Sequence, residues 1–228
     1  MLSKKTVFIF DLDGLLLDTE CIYKRGWEIA LQRLGLFLPD SVLNSWAGKS
    51  IDHTRAAFDD FFQDTSIYDR AYAIREEYIL ETLRKGRLMP KPYAPEALQK
   101  ISEVGCRSGV VTSSQRKRAM IMLTALGLMH YFDHMVSAED VSRRKPDPEP
   151  YHRIVSLFES DYRSCIAFED SLTGYRSAAA AGVDVILVPD SSISQQLERR
   201  PSVRAARDLS VVMTMLGEPK NYKRGERQ

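Results

Sequence analysis

Thr6-Val7-Phe8-Ile9-Phe10-Asp11-Leu12-Asp13-Gly14 decides the fold. Residues 6–10 form a continuous run rich in β-formers, with no polar alternation, as expected of a strand buried on both faces. The run stops abruptly on two carboxylates and a glycine. Later runs of the same texture occupy residues 108–111, 135–137, 165–168 and 185–188. Stretches with helical spacing separate them, at 95–104, 117–126, 148–158 and 172–181, and Gly105, Gly127 and Gly182 stand where C-terminal caps belong. Strand and helix in alternation predict an α/β fold with a Rossmann-like, doubly wound parallel sheet.

Between the first run and the second the texture changes. Residues 19–88 show helical periodicity alone, with helices expected at 22–34, 39–47, 51–62 and 68–85 and breaks at Gly35, Gly48 and the polar 63–66. An insertion of this length is expected to be a four-helix cap domain, residues 18–89, set into a core made of 1–17 and 90–217. The Pro-rich 89–95 reads as a stiff return linker, and 218–228 as a polar tail.

Bulk properties narrow the function. The 228 residues are 44% hydrophobic, enough for a real core, and carry a formal net charge of +1 with both signs dispersed. That distribution argues against a nucleic-acid or membrane-surface binder. No run approaches the ~18 apolar residues of a membrane span, and the N-terminus lacks the hydrophobic length and cleavage site of a signal peptide. Cys21, Cys106 and Cys165 are odd in number and far apart in apolar settings, which reads as reduced core thiols of a cytoplasmic protein with no zinc site. The expected state is a monomer or weak dimer.

In an open parallel sheet, ligands bind beyond the carboxyl ends of the strands. Here those ends carry Asp11 and Asp13, then Thr112-Ser113-Ser114, then Glu169-Asp170, and Lys145 precedes the helix that leads to the fourth strand. Four carboxylates meeting hydroxyls and an ammonium at one edge would be costly to bury unless a cation and an anion shared the site. Magnesium and a phosphate meet that need, since oxygen ligands suit a hard ion. Asp11 can then be nucleophile and ligand, Asp13 the proton donor to the leaving group and later the base for water, and Lys145 the charge stabiliser. The Thr112 hydroxyl and the following N–H bind phosphate oxygens, and Asp13, Glu169 and Asp170 join Asp11 around the metal. Gly14 lets the chain turn sharply and offers its N–H to the phosphate. VVTSS has adjacent hydroxyls, so Ser113 is an alternative to Thr112.

DLDGLLLDTE, VVTSS, RRKPDPEPY and AFEDSLTG resemble, in order and position, the four motifs of the haloacid dehalogenase-like superfamily. With the helical insertion the likeness spans essentially the whole chain and is closest to the subgroup that includes β-phosphoglucomutase and sugar-phosphate phosphatases. The resemblance assigns the same roles to Asp11, Asp13, Thr112, Lys145, Glu169 and Asp170. An acid at position 13 implies phosphoryl transfer rather than dehalogenation. The mutases carry a histidine and an arginine where Tyr23 and Ile51 stand here, a departure that favours water as acceptor. The DGLLLDTE and VPDSSIS segments are similar to the pseudouridine-5′-phosphatase branch. The expected activity is therefore hydrolysis of a sugar phosphate or nucleoside monophosphate through an aspartyl-phosphate, with a mutase as alternative. A non-catalytic phospho-acceptor module is a further alternative, disfavoured because a receiver needs neither Asp13 nor a lid.

Within the insertion, Tyr23 and Lys49 fall where a lid can face substrate, as does Trp27, although aromatics at helical spacing commonly form core. The basic residues between 70 and 85 read as a solvated helix face, and the four histidines share no spacing that suggests a ligand set.

Overall fold

The computed structural model describes residues 5–46, 51–189 and 203–217, with the side chains of 51 and 52 left aside. Five parallel strands form one sheet: β1 Val7–Phe10, β2 Arg107–Val111, β3 His134–Val136, β4 Cys165–Glu169 and β5 Asp184–Leu187, in the order β3-β2-β1-β4-β5. The first strand is thus central, with Ile9 in register with Gly109 on one side and Ala167 on the other.

Helices α1 Glu20–Leu34, α2 Asp40–Ser45, α3 Ile51–Phe62 and α4 Thr65–Arg84 lie between β1 and β2. They are followed by α5 Ala94–Glu103, α6 Arg116–Ala125, α7 Glu149–Leu157, α8 Leu172–Ala180 and α9 Ser210–Leu216. All four side chains of β1 are fully buried. Alternation along the strand sends Phe8 and Phe10 into a cluster with residues of α5, α6 and α9, and Val7 and Ile9 into one with α7 and α8. Each such side chain contributes about 1.5–3 kcal/mol of burial, which is why this strand tolerates no polar alternation.

The insertion has its own interior. Trp27 packs against Trp46 and Phe58, each with centroids at 5.6 Å, and Ala30, Leu31, Leu43, Tyr68 and Ala71 complete the cluster. Trp27 is therefore core.

Four local expectations need revision. Helix α4 begins earlier than its apolar spacing suggests, because the Asp64 carboxylate accepts from the Ser66 N–H and caps it, within what reads as a polar break. Arg75, on the stretch read as solvated, is 7% exposed. The Pro-rich return is not a free spacer: Asp18 N–H donates to Met89 O, Lys91 N–H donates to Leu16 O, and Leu17 bridges Pro90, so the outgoing and returning chains bond to one another. Cys21 is exposed and Cys106 half-buried, leaving Cys165 as the buried thiol. Helix α9 has no counterpart in the sequence reading, because SVVMTML is too short for periodicity to separate helix from strand.

Candidate active site

Asp11 is the first residue past β1, and its N–H still donates to Phe168 O at 3.0 Å, so the sheet fixes its backbone. Its carboxylate is almost wholly buried. Lys145 reaches it from the loop before α7: Nζ lies 2.6 Å from Asp11 Oδ1 and 2.6 Å from Glu169 Oε1, and donates to Val111 O at 2.9 Å. One ammonium group thus joins the ends of β1, β2 and β4.

Asp11, Glu169 and Asp170 each offer an oxygen within 4.8 Å of the others. Glu169 is fully buried; the Tyr151 hydroxyl and Lys145 occupy Oε1, and Oε2 has no hydrogen-bond partner among the described residues. A Cβ on Gly174 would run into that carboxylate, and one on Gly14, where φ is +84°, into Asp170 Oδ2. Glycine at these two positions is what lets the acids sit so close to backbone.

The electrostatics follow from three carboxylates and one ammonium in a dry place. Burial, with Glu169 and Asp13 adding to it and Lys145 opposing, pushes Asp11 up to about 8. Asp170 also rises well above the carboxylate range, by burial first and then by the charges of Asp11 and Glu169. Burial works against the Lys145 ammonium, but Asp11 and Glu169 outweigh it and hold the proton firmly. Tyr151 keeps its phenolic proton for the same two reasons, burial and the adjacent Glu169.

Asp13 stands apart from this group. Expected among the metal acids, it turns its carboxylate away: Oδ1 accepts from Tyr23 Oη at 2.5 Å, and Oδ2 from Ser114 Oγ at 2.8 Å and Thr112 Oγ1 at 3.3 Å. Three hydroxyls thus donate to it. Thr112 is buried and also accepts from the Ser114 N–H at 2.9 Å, whereas Ser113 is exposed. The Gly14 N–H, expected to face phosphate, donates instead to Leu17 O at 2.9 Å. Tyr23 reaches the site from α1 through its hydroxyl on Asp13, and Lys49 lies outside the described residues. Ser114 and Tyr151 lie within the motifs without a role that spacing assigns; Arg75 and Arg118 flank Tyr23 and Glu76 pairs with both, and none of the three carries a signal in the sequence.

Residues 8–188 match the family model of the haloacid dehalogenase-like hydrolases. A validoxylamine A 7'-phosphate phosphatase from Streptomyces hygroscopicus subsp. limoneus is 32% identical over 78% of this chain and 82% of its own. A phosphoglycolate phosphatase from Nitrosospira multiformis is 32% identical over 81% of this chain and 83% of its own. The solved structure of a predicted phosphoglycolate phosphatase from Haemophilus somnus 129pt superposes with a TM-score of 0.80 at 19% identity, covering 95% of this chain and 100% of that one. Among the described residues no helix is long and apolar enough to cross a membrane.

Proposed function

This chain belongs to the haloacid dehalogenase-like hydrolase family, and on that premise we propose that it is a magnesium-dependent phosphomonoesterase acting on a small phosphorylated metabolite through an aspartyl-phosphate. The observation that carries the reading is the placement of Lys145 between Asp11 and Glu169 beside a third buried acid, Asp170. The residues fit a hard divalent ion. Three carboxylates outnumber one ammonium, every donor is oxygen, and Glu169 Oε2 is buried without a partner among the described residues. Asp11, Glu169 and Asp170 would hold the ion, which when bound supplies positive charge that keeps these acids ionised and offsets that of the phosphate.

Asp11 attacks phosphorus, forming the carboxyl-phosphate bond as the bond to the leaving alcohol breaks. Asp13 delivers its proton to the departing oxygen, then takes one from the water that cleaves the aspartyl-phosphate, returning Asp11 as a free carboxylate and releasing inorganic phosphate. Lys145, fixed by Val111 O and both acids, stabilises charge on the transferring group. Thr112 Oγ1 and the Ser113 N–H are the donors for its remaining oxygens, and the Thr112 assignment rests on its burial at the strand end. Leaving-group recognition falls to the insertion, Tyr23 first, because the core is occupied by the phosphate machinery. The phosphatase activities named for the two relatives support a sugar-like or small-acid phosphate as substrate.

Phosphate release from a panel of sugar phosphates, 2-phosphoglycolate and nucleoside monophosphates, with and without Mg²⁺, tests the reading. Release that needs the metal and falls about 10³-fold or more in Asp11→Asn, with the fold retained by circular dichroism, is the expected result. Full turnover by the variant rejects the mechanism.

A further inference from the structure

The seam between the insertion and the core holds a second set of buried charges. Arg118, on α6 of the core, is 7% exposed. Its Nη2 donates to Glu76 Oε2 at 2.5 Å and to Tyr72 Oη at 3.1 Å, both on α4, and its guanidinium lies beside Tyr23, 5.9 Å from the ring centroid. Tyr23, on α1, in turn donates to Asp13. The path Glu76, Arg118, Tyr23, Asp13 changes sides of the seam at every link: insertion, core, insertion, core. It can be complete only while the insertion rests on the core.

Arg75 makes a useful contrast. It lies over the Tyr23 ring at 4.5 Å and the Trp27 ring at 5.0 Å, and its Nη1 pairs with Glu76 Oε1 at 2.6 Å. All three partners belong to the insertion, so Arg75 travels with Tyr23. Arg118 does not: it flanks Tyr23 from the core side of the seam. A buried ion pair across a seam is a poor device for stability alone, since desolvating both charges offsets much of their attraction. It is a good device for geometry.

We propose that Arg118 is a positioning residue for Asp13: anchored by Glu76, it holds the Tyr23 hydroxyl against Asp13 Oδ1, and so fixes the proton donor in place when the insertion closes over the site. Ser114 holds Oδ2 from the core whatever the insertion does. Oδ1 depends on Tyr23, and without it the carboxylate is free to rotate. A misplacement of about 1 Å at a reacting group costs on the order of 10²-fold. Proton donation would thus be coupled to closure through one core side chain. The inference rests on Asp13 being the acid of the proposed reaction.

The test is the dependence of kcat on leaving-group basicity, using the full chain with Mg²⁺ and substituted phenyl phosphates running from p-nitrophenyl to phenyl. A nitrophenolate departs without a proton and a phenolate needs one more. Wild type is expected to show a shallow slope and Asp13→Asn a steep one. Arg118→Met and Tyr23→Phe should steepen it too, losing about tenfold more kcat on phenyl than on p-nitrophenyl phosphate, with KM little changed in Arg118→Met and Arg118→Lys partly recovering. A uniform loss across the series in Arg118→Met, with the wild-type slope kept, overturns the positioning role and leaves the reading of Asp13 intact. Equal slopes for wild type and Asp13→Asn remove the acid, and this inference with it. Should Arg118→Met fail to fold, Glu76→Gln loosens the same anchor and is held to the same slope.

Discussion

At the carboxyl edge of the sheet, charged side chains are seated by strands and partnered from several directions within the core, Lys145 touching three strand ends at once. The insertion keeps rings inside, Trp27 against Trp46 and Phe58, and turns its polar groups outward across a seam to meet Asp13 and Arg118. The first arrangement is rigid because each charge has nowhere else to go. The second is cohesive within itself and meets the core at that seam, where Ile79 and Leu83 of α4 also join the sheet's apolar cluster.

Substitutions can break that contrast. Lys145→Met strands three buried carboxylates, and a loss of about 3–5 kcal/mol by urea unfolding is expected, along with turnover; an unchanged midpoint would mean that the edge is not held by its ammonium. Trp27→Ala should cost about 3 kcal/mol, with the damage confined: hydrogen exchange should accelerate through α1, α3 and α4 while amides of β1 and β4 keep their protection. Equal acceleration in both would show one cooperative unit and dissolve the distinction. Lys85→Ala, at the exposed pair with Glu81 on the outer face of α4, should leave melting temperature and rates where they were; a measurable change would mean that the outer face of the insertion carries more than solvation.

The same contrast governs what a reader of the sequence can find. Asp11, Glu169 and Asp170 follow strands, and parallel strands bring their carboxyl ends to one edge, so topology alone gathers them. Lys145 is reached through its motif. The direction in which Asp13 points is another matter: it depends on the bend at Gly14 and on hydroxyls from β2 and α1, a three-body arrangement that spacing does not encode. Arg75 sits in a stretch of many charges, and which of them α4 turns inward is decided by α1, its packing partner. Arg118 reads as one more basic residue in QRKRAM, because nothing in its neighbourhood announces that a glutamate 42 positions earlier lies opposite it. Cys21 is exposed for a like reason: its sequence neighbours Ile22 and Tyr23 pack against the core and it does not.

The paired backbone of Leu16–Asp18 and Met89–Lys91 has a consequence for the molecule's history. With Leu17 bridged to Pro90, the chain leaves the sheet and re-enters it at one doorway, so the core meets everything in between as though it were a tight turn. Residues can be added or removed beyond that doorway without altering the strand order, provided that Tyr23 still reaches Asp13 across the seam.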